Sequence, residues 1–133
     1  MRRVVISKET LEELRRHSCE ESPTEACGLL LGEKGESAFI VKRSFRARNL
    51  RESTSAYEVD PRDVYLALKE AEASNLELIG VYHSHPYGEL NPSTLDVERA
   101  IPGLLYLIVS CDGSFKAFEF IGRDLLELKC SLE

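Results

Sequence analysis

The 133 residues carry 43% hydrophobic side chains and 30% charged ones, with 17 basic against 23 acidic groups and a net charge of −6. That is one domain of ordinary globular composition, long enough to bury a core without staples, and residues 1–133 are expected to form it. The acidic balance argues against nucleic acid as a partner, because phosphate contacts need a basic surface. No apolar run is long enough for a bilayer span, so no membrane role is expected. Met1 to Ile6 turns polar at Ser7 with no apolar leader core after it, which predicts a cytoplasmic protein.

Arg2 to Ile6 reads as a first strand. Ser7 is an N-cap leading into an amphipathic helix with Leu11 and Leu14, which should fade near Glu20, before Pro23. Ala26 to Leu31 is a short apolar run, Gly32-Glu33-Lys34-Gly35 a turn, and Ser37 to Phe45 a second strand; together they predict a hairpin. Lys42, Arg43, Arg46, Arg48 and Arg51 form a local basic stretch. A solvated strand and loop is the favoured reading, a docking surface for an acidic partner the sharper one. Asn49 to Glu58 is polar and irregular, an expected exposed loop. Asp60-Pro61 starts a helix carried by Val64, Leu66, Leu68 and Ala71 toward Asn75.

Leu78 to Tyr82 predicts a buried strand running into His83, and Pro86 to Pro92 a loop. Ser93 opens another helix. Leu104 to Ser110 and Phe115 to Ile121 are strands around an Asp112-Gly113 turn. Leu125 to Cys130 fits a final strand or a short helix. Helices alternating with strands early and hairpins late predict an α/β protein with a mixed sheet and helices on its faces. Cys19, Cys27, Cys111 and Cys130 form no C-x-x-C pair and would be reduced in an ordinary cytosol, although a disulfide stays open. Cys111, after a core strand, reads as a small buried side chain before a turn rather than a visitor to the site.

His83-Ser84-His85 follows directly on a strand, where residues i and i+2 point to one side, so two imidazoles face one volume. Asp96, eleven residues after His85 in the first turn of the next helix, can fold back onto them. Two histidines and one carboxylate leave a fourth tetrahedral position open, the mark of a catalytic zinc site. Such chemistry also needs a proton shuttle, for which Glu25, just before an apolar run, is the candidate, and a donor to the developing oxyanion, for which Ser93 is. Taken alone, each has a plainer reading. Ser93-Thr94-Leu95-Asp96 resembles a capping box, and Glu25 a surface carboxylate.

The segment Gly80-Val81-Tyr82-His83-Ser84-His85-Pro86, continued by Ser93 and Asp96, resembles the JAMM (MPN+) metalloprotease motif H-x-H-x(7)-S-x(2)-D. Glu25-Ala26-Cys27-Gly28-Leu29-Leu30-Leu31-Gly32 is similar to the family's upstream E-x-x-G-x-L-x-G. The resemblance implies a cytidine-deaminase-like three-layer α/β/α sandwich. It also implies one zinc ion on His83, His85 and Asp96, Glu25 as general acid/base and Ser93 stabilising the tetrahedral intermediate. Its implied substrates are bonds joining the C-terminal glycine of a ubiquitin-like modifier to a lysine or peptide. The compact length resembles stand-alone archaeal or bacterial members, and the Arg46 to Tyr57 region, where members often carry an insertion against the modifier, is short and basic here. A peptidase trimming a sulfur-carrier protein and a non-catalytic scaffold are the other readings; a homodimer stays open.

Overall fold

The computed structural model describes residues 1–86 and 89–133. Eight strands form one mixed sheet: β1 (Arg3–Ile6), β2 (Cys27–Lys34), β3 (Ala38–Ala47), β4 (Glu77–Ser84), β5 (Leu105–Val109), β6 (Phe115–Ile121), β7 (Asp124–Leu128) and β8 (Cys130–Leu132). Their order is β7-β6-β5-β4-β2-β3-β1-β8. β4/β5, β1/β3 and β1/β8 are parallel; the remaining neighbours are antiparallel. The strands at the two ends of this order, β7 and β8, are consecutive in the chain with Lys129 between them. The sheet therefore curls until its ends approach. The Val4 amide donates to the Lys129 carbonyl at 2.8 Å, and Arg2 pairs with buried Glu119 of β6 at 2.8 Å.

Among the described residues, three helices cover the sheet: α1 (Lys8–Glu21), α2 (Pro61–Ala73) and α3 (Thr94–Arg99). Each starts on the cap expected from its sequence. Ser7 accepts from the Thr10 amide, Asp60 from the Arg62 amide, and Ser93 from the Asp96 amide. Strand alternation sorts the core into two faces. Leu30, Tyr82, Leu105, Leu107 and Val109 point inward with Leu14 and Leu11 of α1. Leu29 and Leu31 point outward onto Ala67 and Ala71 of α2. Tyr106 and Ile108 take the same outward face and meet Val97 of α3. α1 and α2 therefore lie on opposite faces, giving the three-layer α/β/α arrangement. None of the described helices is long and apolar enough to cross a membrane.

Several details depart from the sequence reading. β2 continues through Gly32 to Lys34, and the chain reverses around Glu36 instead. Gly32 sits at a register shift in the β2/β3 pair, where a Cβ would collide with the Ile40 carbonyl. It is there for close backbone approach, not for a turn. Of the two readings offered for Leu125 to Cys130, strand is the one found, as β7 and β8 with Lys129 between them. The expected loop from Pro86 to Pro92 falls in part on Tyr87 and Gly88, outside the described residues. Cys111 is exposed rather than buried, and it is bonded to Cys19, tying α1 to the turn between β5 and β6. The basic stretch is partly committed internally: Arg43 pairs with Glu70 and Arg46 with Glu20, both at 2.5 Å.

Candidate metal centre

The site forms at the end of β4, on the outward face. His83, 1% exposed, follows Val81 on that face by strand alternation, and His85 comes one period later. Their Nε2 atoms lie 3.1 Å apart. Ser84, between them and fully buried, does a second job. Its amide donates to the Ala26 carbonyl at 2.9 Å, and its hydroxyl accepts from the Ala26 amide at 2.8 Å. This extends the β2/β4 ladder, in which Cys27 faces His83, by one more residue. Glu25 is thereby carried to the site. It is 4% exposed and offers a carboxylate oxygen within 4.8 Å of the two histidines. Sequence reasoning put Glu25 at a strand edge; the pairing of β2 with β4 is what brings it to the imidazoles.

Asp96 arrives from α3. Its Oδ2 accepts from the Ser93 amide at 2.8 Å, while Ser93 Oγ accepts from the Asp96 amide at 3.1 Å. That is the capping box, and it does not compete with the second contact. The same Oδ2 lies 3.3 Å from Nε2 of both His83 and His85. The cap fixes the carboxylate orientation, and the orientation places it against the imidazoles.

This donor set fits a divalent cation on three counts. Ligands about 2.0–2.1 Å from a tetrahedral ion stand about 3.3–3.4 Å from one another; here the three separations are 3.1, 3.3 and 3.3 Å. His85 Nδ1 donates to the Glu89 carbonyl at 2.8 Å. A neutral ring held that way turns its Nε2 lone pair toward Asp96 and His83, the tautomer a metal ligand needs. Finally, Glu25 Oε1 and His83 Nδ1 are buried with no hydrogen-bond partner among the described residues. The Glu25 oxygen is the informative one: an unmet acceptor beside converging lone pairs is costly without a cation to offset it, whereas His83 Nδ1 belongs to a ring that meets the site through Nε2.

Electrostatics separate the two carboxylates. Burial opposes ionisation of Asp96, but the adjoining His83 and His85 rings and the Ser93 amide outweigh that and hold its carboxyl far below the usual range. Glu25 goes the other way: burial pushes it up to about 7, with Asp96 adding to the rise and His85 opposing it. One carboxylate stays ionised and the other can exchange a proton near neutrality. Burial likewise lowers His83, despite Asp96, toward the neutral form that carries a free lone pair.

Two residues of the 49–58 loop escaped the sequence reading. The ring of Tyr57 stacks on His83, and the Asn49 carboxamide binds the backbone on both sides of it. Half-buried Ser53, Ala56 and Tyr57 make this more than the exposed loop expected. An Asn opening a polar stretch is a turn-forming signal, but nothing local says what the turn holds. A groove of about 520 Å³ passes the site, lined by Thr54 and Ser55, by Asn91 and Pro92, and by Glu25, His85 and Ser93.

The family described as prokaryotic homologs of the JAB domain matches residues 7–121. The chain belongs to that family. This prokaryotic JAB protein is 36% identical over 125 residues to a desampylase of Haloferax volcanii, covering 92% of this chain and 88% of that one. It is 36% identical over 109 residues to a probable TtuB-protein conjugate cleaving protease of Thermus thermophilus, covering 81% and 70% respectively. A solution structure of a Desulfitobacterium hafniense protein superposes with a TM-score of 0.89 at 30% identity, covering 98% of this JAB chain and 92% of the other. The JAMM resemblance read from the motif is thus borne out for the family and the fold.

Proposed function

We propose that this JAB protein is a zinc-dependent isopeptidase that hydrolyses the bond between the C-terminal glycine of a ubiquitin-like modifier and a target lysine or peptide. The observation that carries the reading is the meeting of His83, His85 and Asp96 donor atoms at tetrahedral spacing, with the buried Glu25 carboxyl beside them. The relatives named for removing or cleaving modifier conjugates supply the substrate class. All 133 residues act as one catalytic domain, working in the cytoplasm.

His83, His85 and Asp96 would hold a single zinc ion. When bound, zinc supplies Lewis acidity that lowers the pKa of water to about 7 and polarises the scissile carbonyl. Glu25 takes the proton from the attacking water and returns it to the leaving amine, a task suited to a carboxyl whose proton affinity burial raises. Ser93 Oγ accepts from the Asp96 amide, which leaves its own O–H free to donate to the oxygen that becomes negative. Asp96, ionised throughout, keeps both imidazoles oriented. The groove lined by Thr54, Ser55, Asn91 and Pro92 takes the extended tail of the modifier.

The test is incubation of zinc-loaded protein with a modifier–lysine conjugate, with and without a chelator. Free modifier should appear, stop appearing with the chelator, and return on adding zinc. A parallel arm uses a sulfur carrier extended past its C-terminal Gly-Gly. Cleavage of that substrate alone assigns the trimming activity instead. A protein that takes up no zinc by elemental analysis yet binds the modifier would be a scaffold, and the enzyme reading would fall.

A further inference from the structure

Asn49 stands just after β3, at the head of the loop that crosses the site, and its side chain uses all of its principal hydrogen-bonding positions. Oδ1 accepts from the amides of Arg51 and Glu58 at 3.0 and 2.9 Å. Nδ2 donates to the carbonyls of Glu25 and Ala56 at 3.0 and 3.2 Å. Two amides on one end and two carbonyls on the other fix which atom is oxygen and which is nitrogen. The carboxamide therefore performs two tasks. Its oxygen closes the loop on itself through Arg51 and Glu58, and its nitrogen joins that closure, through Ala56, to the peptide of Glu25.

The loop so fastened reaches each element that supplies a site residue. The Ser53 carbonyl accepts the Glu25 amide at 2.8 Å, so both backbone groups of Glu25 are held from the loop. The Tyr57 ring lies on His83 of β4, and the Tyr57 carbonyl accepts from the Arg99 guanidinium of α3 at 3.2 Å. Glu25 precedes β2 with no ladder partner of its own in the sheet. Two fixtures set its backbone: the Ser84–Ala26 pair on one side and this loop on the other. A carboxylate that must reach its proton partners loses rate steeply when displaced by even an ångström.

We infer that Asn49 is a positioning residue, whose Nδ2 donor holds the Glu25 backbone in register with the His83 ring through the 49–58 loop. The inference rests on the proposed hydrolase reading, in which Glu25 moves the proton.

Asn49→Asp tests the donor. It keeps the acceptor for the Arg51 and Glu58 amides, so that half of the loop's clasp remains. It replaces the donor by a carboxylate oxygen facing the Glu25 and Ala56 carbonyls. Measured on the zinc-loaded enzyme with a modifier conjugate, kcat should fall at least tenfold. KM should stay within threefold and zinc should remain at one ion per chain. In parallel, NMR on the metal-free protein should show the Glu25 amide exchanging at least tenfold faster in Asn49→Asp. The His83 ring protons should also lose the upfield shift that the stacked Tyr57 imposes. A folded Asn49→Asp protein with wild-type kcat overturns the inference, as does a kcat loss matched by equal loss of zinc. If the wild-type protein cleaves no conjugate, the hydrolase reading fails. The NMR arm then decides alone, and unchanged Glu25 exchange with unchanged His83 shifts overturns the positioning role.

Discussion

The ring of Tyr57 lies over the ring of His83, centroids 4.3 Å apart and planes 18° from parallel. It covers an imidazole that burial already biases toward the neutral, lone-pair-bearing form. An offset aromatic contact is worth about 0.5–1.5 kcal/mol beyond its buried area. Tyr57→Ala should therefore weaken zinc binding by about 2- to 12-fold, while Tyr57→Phe, which keeps the stack, should stay near wild type. Competition with a chromogenic chelator measures both. Equal affinity in all three proteins would show that the stack does not orient the ligand.

Glu25→Gln distinguishes a proton carrier from a ligand. Three donor atoms other than Glu25 already stand at tetrahedral spacing, so zinc should stay at one ion per chain. Removing a general acid/base should lower turnover by about 10²- to 10⁴-fold. Zinc content by elemental analysis and single-turnover cleavage are measured on the same sample. Loss of metal in proportion to activity would make Glu25 a ligand instead.

What the sequence discloses here is mostly what is local. Ser7, Asp60 and Ser93 act as caps through contacts within three residues, and the His83/His85 pair follows from strand period alone. The Glu25 position is not of that kind, since it depends on Ala26 pairing with Ser84, 58 residues away. Tyr57 reaches His83 across 26 positions for the same reason. Gly32 misleads because Gly-Glu-Lys-Gly has turn chemistry, yet tertiary contact with Ile40 decides its role. The link between Cys19 and Cys111 is equally invisible in their spacing, because α1 and the β5–β6 turn meet only once α1 has packed on the sheet.

His17, on the inward side of α1, shares a 2.8 Å hydrogen bond with Tyr82 and is 3% exposed. Burial, helped by Arg46 and opposed by Glu20, pushes it down to about 4. In the unfolded chain it titrates near 6.5. Between these values the unfolded state binds a proton that the folded state refuses, so acidification favours unfolding. The stabilising contribution is complete above pH 6.5, shrinks as pH falls to about 4, and is level below that. Its size is about 3 kcal/mol. Urea unfolding of wild type and His17→Gln at pH 7, 6, 5 and 4 isolates the effect from the carboxylates. The variant should lose less stability across the window; parallel curves would remove His17 from the acid response.

The Cys19–Cys111 bridge closes a loop of 92 residues. In the chain-entropy account, such a loop limits the unfolded ensemble enough to stabilise the fold by about 4–5 kcal/mol. Replacing both cysteines by serine should lower the unfolding free energy by about that amount in urea titrations. Zinc binding and turnover below the melting transition should nevertheless persist. The His85 amide donates to the Val109 carbonyl, only two residues before Cys111, which makes β5 the route from the bridge to the site. It is insulated because β5 is paired along its whole length, to β4 from Gly80↔Leu105 to Ser84↔Val109 and to β6 from Leu105↔Glu119 to Val109↔Phe115. The bridge acts on α1, which packs on the inward face, whereas His83 and His85 project from the outward one. A double variant that unfolds at lower denaturant yet binds zinc with unchanged affinity matches that geometry. One that loses zinc while still folded would mean the β5–β6 turn, rather than the ladder, holds His85.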